Sequence, residues 1–153
     1  MPNYDFRSDL ETAKQTEQEI AMGLEKNYGV KAIDEMSVTS KWDRSFRTKS
    51  GNTIAIEMKE DFMWEKTGNT VIEFESRGKP SGIRVTEADW FIYRLRGSPH
   101  KHYIFKTTRL KKLIDEKKYE RIVVGGDEGS ETKMYLFGLD VLLPWGKELD
   151  LSI

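Results

Sequence analysis

The stretch Thr53-Ile-Ala-Ile-Glu-Met-Lys59 decides the fold, because apolar and other side chains alternate along it. This period of two predicts a β-strand with the two isoleucines and the methionine on one face. Glu57 and Lys59, two positions apart, therefore project together from the opposite face. A carboxylate and an ammonium group side by side at the end of an apolar strand are a candidate site for chemistry.

A second predicted strand, from Val38 to Phe46, precedes this one, and the turn over Lys49–Asn52 lies between them. An antiparallel hairpin closed at that turn pairs Asp43 with Glu57, which brings two carboxylates within roughly 5.5 Å of each other. Because directly opposed carboxylates repel each other, a divalent cation is the natural compensation. Hard oxygen ligands of this kind suit Mg²⁺ or Mn²⁺.

A long first helix supplies a third acid. From Arg7 to Tyr28 apolar residues recur at helical spacing, and Gly29 follows as a stop. On a helical projection Glu17 lies about 20° from Leu24, inside the apolar stripe, whereas Glu19 lies on the solvent side. A carboxylate inside a core-facing stripe is costly unless it has a partner, so Glu17 is the unusual acid of this helix.

The remaining pattern predicts an α/β or α+β sandwich with a mixed sheet. A second helix starting at Thr86 is expected, with Ala88, Phe91, Ile92 and Leu95 as its stripe. The predicted order is αβββαβ plus a C-terminal helix and hairpin. The further elements are a third strand over Thr70–Glu75, a short strand over Tyr103–Phe105, a third helix over Arg109–Lys118, and a hairpin of Arg121–Val124 with Met134–Phe137.

Composition bounds the class of protein. The 153 residues carry 25 Lys and Arg against 26 Asp and Glu, so the chain does not coat nucleic acid by net charge alone. The absence of cysteine excludes disulfides, thiolate zinc sites, iron–sulfur clusters and cysteine nucleophiles. No apolar run approaches the ~20 residues that cross a bilayer. We therefore expect one soluble domain over residues 1–153, without membrane contact, in a bacterial, archaeal or phage-infected cytoplasm.

Each of these patterns is weak by itself. An acid two positions before a lysine occurs four times in the chain, and a strand ion pair or a solvated helix face explains most such pairs. Only Glu57 and Lys59 follow a strand that carries another acid. It is the combination of Glu17, Asp43, Glu57 and Lys59 that favours a functional site.

The combination resembles the PD-(D/E)xK nuclease superfamily, and within it archaeal Holliday-junction resolvases and small phage-type nucleases. The resemblance covers residues 10–106, with Glu17 on an opening helix, Asp43 as the strand aspartate, and Glu57 and Lys59 as the acid and lysine of the signature. Trp42 stands where the family name has proline. The resemblance implies a restriction-endonuclease-like core, a mixed β-sheet flanked by helices, that hydrolyses phosphodiester bonds of DNA.

The resemblance also implies roles for the residues. Asp43, Glu57 and the backbone carbonyl of Met58 would hold one or two Mg²⁺ ions, with Mn²⁺ as a substitute. Lys59 would orient or help to deprotonate the attacking water, and Glu17 would hold a metal-bound water or a second metal.

A further acid comes from the third strand. Glu73 and Glu75 share a face there, and Glu73 is the better candidate for the metal site because it lies further from the following loop.

The expected partner is DNA. The segment 41–84 carries more basic than acidic residues, and the candidates for contacts with phosphates are Arg44, Arg77, Lys79 and Ser81. We expect His100 and His102 at the surface, and Trp64 and Trp90 in packing contacts rather than stacked on bases.

Two questions remain open at this stage. A catalytically inactive nucleic-acid-binding or assembly module on the same fold is the alternative function. Junction cleavage would require two active sites, so a homodimer is also left open.

Overall fold

The computed structural model describes residues 6–33, 43–126 and 129–152, with side chains from Glu11 onward. The first helix, α1 (Phe6–Tyr28), confirms the helical prediction, and Gly29 ends it with a φ of 67°. Three shorter helices follow, which are α2 (Trp64–Thr67), α3 (Thr107–Asp115) and α4 (Leu139–Leu142). None of the described helices is long and apolar enough to span a membrane.

The described part of the chain forms ten strands in two sheets. In chain order they are β1 (Lys31–Ala32), β2 (Arg44–Arg47), β3 (Thr53–Asp61), β4 (Asn69–Ser76), β5 (Lys79–Pro80), β6 (Trp90–Leu95), β7 (Lys101–Lys106), β8 (Arg121–Gly125), β9 (Thr132–Gly138) and β10 (Lys147–Leu149).

The larger sheet is mixed and separates two hydrophobic clusters. Its order is β1-β2-β3-β6-β7-β10, with β3 and β6 parallel and the other pairs antiparallel. On one face α1 packs Ile20 and Leu24 against Phe46, Ile56 and Ile92. The smaller sheet, β5-β4-β9-β8, and α3 cover the other face, with core residues that include Ile72, Phe91, Phe105, Leu110 and Phe137. The fold is thus α+β with a mixed sheet, as predicted.

The predicted second helix is wrong, because Trp90–Leu95 forms the strand β6. Its stripe of apolar residues at helical spacing is part of a run that is buried on both faces, which is typical of a strand inside a mixed sheet. Pairing with β3 on one side and β7 on the other overrides the helical pattern. Thr86 accepts a hydrogen bond from the Ala88 N–H at 3.1 Å within a local turn, and caps no helix.

The order αβββαβ is therefore not what the chain adopts. The connection from β3 to β6 runs through the one-turn α2, β4, β5 and a 3₁₀ turn over Gly82–Arg84. The third strand, the strand over Tyr103–Phe105 and the hairpin of β8 with β9 are confirmed, and α3 starts two residues earlier than expected. Residues 38–42 of the predicted second strand lie outside the described residues.

Candidate active site

The hairpin of β2 and β3 has the predicted register. Arg44 pairs with Ile56, and Arg47 pairs with Thr53. Asp43 immediately precedes β2, and its N–H donates to the Ile56 carbonyl at 3.1 Å. Asp43 thus lies just beyond the paired residues, beside the part of β3 that carries Glu57; its predicted pairing with Glu57 stays a prediction.

The carboxylate of Asp43 lies against the edge of β3 that faces β2. Its Oδ2 accepts the Met58 N–H at 2.7 Å, two residues beyond Ile56, which pairs with the first residue of β2. Because the N–H and C=O of one strand residue point to the same side, the Met58 carbonyl faces the same edge as Asp43. The Met58 carbonyl, a candidate ligand, thus lies on the same edge of β3 as the Asp43 carboxylate.

Glu57 is a buried carboxyl with charged neighbours. Its residue is 6% exposed, and its Oε2 lies 3.9 Å from the Nζ of Lys59. Burial raises the pKa of Glu57 from 4.5 to about 7, with Lys59 opposing the shift and the carboxylates of Asp43 and Glu73 adding to it. At neutral pH this group holds a proton in a large fraction of the molecules, and a bound cation would displace it.

Glu17 approaches Asp43 from α1. The side chain is half-buried, and burial is the main cause that raises its pKa, followed by the charge of Asp43. The guanidinium of Arg44 and the ammonium of Lys14 oppose that shift. Asp43 is therefore the common neighbour of Glu17, on the helix side of the sheet, and of Glu57.

The prediction that Glu73 and Glu75 share a face is wrong, because β4 has a bulge between them. Glu73 pairs with Met134 and Glu75 with Lys133, and these consecutive residues of β9 point to opposite faces. Glu73 lines a cavity of about 130 Å³ between the two sheets, together with Lys59 and Tyr93, and its charge acts on Glu57. Glu75 is engaged elsewhere, with the Nζ of Lys133 at 3.1 Å and Arg84 at 3.7 Å. Of the two acids, Glu73 is thus the one directed to the site.

These groups suit a hard divalent cation by their chemistry. All are carboxylate or carbonyl oxygens. Burial is the main cause of the raised pKa values of Glu17 and Glu57, and the charge of Asp43 adds to both shifts; a bound cation would oppose both effects. Over residues 6–33, 43–126 and 129–152, however, no three His, Asp or Glu side chains are arranged closely enough to hold a metal ion as they stand.

The candidates for DNA contacts lie in two places. Arg44 is half-buried beside Glu17. Arg77 and Lys79 are exposed at the turn between β4 and β5, where Arg77 has a φ of 53°. The hydroxyl oxygen of Ser81 is shielded from solvent, without a hydrogen-bond partner among the described residues, so it would have to turn outward to reach a phosphate.

A buried polar cluster was missed by the sequence reasoning. Arg94 is 3% exposed, and it donates from Nη1 to Glu19 at 2.9 Å and from Nε to the Nε2 of His102 at 2.9 Å. The prediction that His102 lies at the surface is therefore wrong. Glu19 pairs with Arg94 but keeps a side chain that is 40% exposed, in line with its expected position on the solvent side. Burial, followed by the charge of Arg94, lowers the pKa of His102 to about 4, so the ring is a neutral acceptor. Recognising β6 as a strand would have placed Arg94 on the face toward α1.

The two candidate tryptophans are held in packing contacts, as expected. The indole N–H of Trp64 donates to the Arg96 carbonyl at 2.6 Å, and Trp90 packs against the cluster under α1. Phe62 and Met63, which the sequence reasoning did not single out, are the exposed apolar residues in this part of the chain.

Comparison with known proteins adds no family to this geometry. No family model matches the chain, and searches of the curated proteins and of the solved structures give no match. The function is therefore inferred from the site alone.

Proposed function

We propose that this protein is a metal-dependent DNA endonuclease that hydrolyses phosphodiester bonds. The observation that carries the proposal is that the Asp43 carboxylate acts on both Glu17 of α1 and Glu57 of β3, with Lys59 next to Glu57. Carboxyl groups with raised pKa values that share charged neighbours are typical of functional sites. A bound cation would compensate the burial of Glu57 and the repulsion that Asp43 adds at both acids.

The residues take distinct roles in this proposal. The oxygens of Asp43 and Glu57 and the Met58 carbonyl would hold Mg²⁺ or Mn²⁺, which when bound acidifies water and neutralises charge on the phosphate. The ammonium of Lys59, 43% exposed, orients the attacking water and contacts the scissile phosphate. Glu17 would hold a metal-bound water or a second metal from the helix side, and Glu73 would contribute a further carboxylate to the metal site from the cavity.

The substrate in this proposal is DNA, with a branched or four-way junction structure as the preferred form. Arg77 and Lys79, exposed on the turn beside the strand that carries Glu73, are placed to bind phosphates at a distance from the reacting bond. Cutting both strands of a junction would require a homodimer.

A second candidate is a catalytically inactive nucleic-acid-binding or assembly module on this fold. Two observations favour it. One carboxylate oxygen of Asp43 already accepts the Met58 N–H, and the described residues contain no group of three His, Asp or Glu side chains close enough to hold a metal ion.

The deciding experiment is cleavage of labelled duplex, single-stranded, flap and four-way-junction DNA with Mg²⁺ or Mn²⁺. Lys59→Ala and Asp43→Asn are each expected to slow cleavage by roughly 100-fold or more, because they remove the water-orienting cation and a metal ligand. Lys111→Ala, an exposed lysine on α3, is the matched control and should cleave normally.

DNA binding in Ca²⁺ should survive in both site variants. Wild-type cleavage rates in Lys59→Ala and Asp43→Asn would contradict the proposal. Binding by the wild type with no cleavage of any substrate would favour the inactive module.

A further inference from the structure

The turn after β3 exposes two large apolar side chains at the end of the strand that carries Glu57 and Lys59. Phe62 is 62% exposed and Met63 is 52% exposed. At strand spacing, the Cα atom of Phe62 lies within about 10 Å of that of Lys59. Adjacent exposed apolar side chains beside a charged site indicate a contact with a ligand.

This turn is held in place by polar contacts. Asp61 accepts the Met63 N–H at 2.8 Å through Oδ1 and the Thr70 hydroxyl at 2.8 Å through Oδ2. The guanidinium of Arg96 lies 5.0 Å from the centre of the Phe62 ring, and Glu60 holds the same guanidinium at 2.6 Å. Phe62 and Met63 are thus presented in one arrangement, so little conformational entropy is lost when they meet a partner.

The surroundings of the two side chains carry cations in reach of a phosphate backbone. Lys66 is exposed on α2, and Lys101 is exposed with its Nζ 5.9 Å from the Trp64 ring. Of the nearby acids, Glu60 and Asp61 are engaged as described, and Glu65 is exposed on α2. An apolar tip flanked by lysines matches a nucleic acid, whose bases stack on apolar side chains while its phosphates bind cations.

We propose that Phe62 and Met63 form a wedge that stacks on unpaired or unstacked bases of branched DNA, while Lys66 and Lys101 bind the flanking phosphates. The inference rests on the proposed nuclease function, because it takes DNA as the ligand. It also gives a reason for a preference among DNA forms. Insertion into an intact duplex requires free energy to unstack the bases, whereas the bases at a branch point are already partly unstacked.

Binding measurements on the double variant Phe62→Ala/Met63→Ala test the wedge. A four-way junction with 2-aminopurine at the branch point and an intact duplex of equal length are titrated in Ca²⁺. All proteins carry Lys59→Ala, so that cleavage does not interfere. The matched control is Met22→Ala, which removes a side chain that is 54% exposed on α1.

The double variant is expected to lose roughly 10- to 100-fold in junction affinity, since stacking accounts for a factor of that order per base. Its duplex affinity should change much less, and the 2-aminopurine fluorescence change should disappear. Phe62→Trp should retain junction binding, and thermal melting should confirm that every variant is folded.

The wedge proposal is overturned if the double variant binds the junction as tightly as the Lys59→Ala protein does. It is also overturned if the Lys59→Ala protein binds no DNA. If DNA binding is unchanged but the double variant shifts from dimer to monomer in sedimentation, the two side chains form a protein contact and the wedge is likewise overturned. These binding measurements do not depend on cleavage. Cleavage is measured separately, with proteins that retain Lys59, and tests the proposed nuclease function by itself.

Discussion

Replacing Glu57 with Gln should remove a pH-dependent loss of stability that the buried carboxyl imposes. The pKa of Glu57 is raised from 4.5 to about 7, mainly by burial. Between these values the folded protein keeps a proton that the unfolded chain releases, so the free energy of unfolding falls as the pH rises. The difference between the two pKa values corresponds to about 3 kcal/mol, and we expect about 2 kcal/mol because the site is open to solvent at Asp43 and Lys59.

Urea unfolding at pH 5, 6, 7 and 8 in the presence of EDTA measures this effect. At pH 5 Glu57→Gln and the wild type should differ least. By pH 8 the variant should have gained about 2 kcal/mol relative to the wild type, since Gln has no proton to lose. Glu11→Gln, at an exposed position of α1, is the control and should run parallel to the wild type.

Parallel curves for Glu57→Gln and the wild type across this range would refute the reasoning. They would mean that the Glu57 carboxyl is as well solvated in the folded protein as in the unfolded chain. The repulsion that favours a cation at this site would then lose its main support.

Three further predictions concern the site and its surroundings. Mg²⁺ or Mn²⁺ should raise the Tm in scanning calorimetry, because it relieves carboxylate repulsion, and Asp43→Asn should lose most of that response. Gly82→Ala should cost about 2 kcal/mol or more in urea unfolding, because an added Cβ would collide with a carbonyl of β4 at a φ of 52°. Gly78→Ala, with a φ of 73° and open space around it, should cost less, and equal losses would contradict the collision. Glu19→Ala should lower the free energy of unfolding by about 3 kcal/mol, because it leaves the buried Arg94 without its anion. Arg94→Met should lower it less, since the remaining Glu19 side chain is 40% exposed to solvent. A larger loss for Arg94→Met than for Glu19→Ala would be inconsistent with this account.

Local patterns predicted the part of the site that lies on neighbouring elements. The turn over Lys49–Asn52 and the period of two are sufficient to set the register of β2 against β3, because residues near in sequence meet across a short hairpin. The apolar stripe of α1 likewise singled out Glu17. In both cases the contacts depend on few long-range choices.

The strand β6 shows why other parts could not be predicted. Phe91, Ile92 and Leu95 fit both a helical stripe and a strand that is buried on both faces, and the pattern alone does not separate the two. Pairing with β3 and β7 decides the matter, and those partners lie far away in sequence. The same long-range pairing places Arg94 and His102 together inside the fold.

The choice between Glu73 and Glu75 was also beyond local patterns. The alternating pattern puts the two on one face of a strand, and the sequence offers only their distance from a loop. The bulge between them, which turns them to opposite faces, is not visible in that pattern. Packing of the smaller sheet directs Glu73 to the cavity beside Lys59, while Lys133 and Arg84 engage Glu75.

The sequence by itself determined the long helix and the hairpin with the register of Arg44–Arg47 against β3, because spacing along the chain sets these positions. Only the tertiary structure decided that β6 is a strand, that the smaller sheet brings Glu73 to the site, and that Phe62 and Met63 stand exposed beside it. These depend on which distant segments pair and which side chains they leave uncovered, and burial against such segments outweighs local propensity.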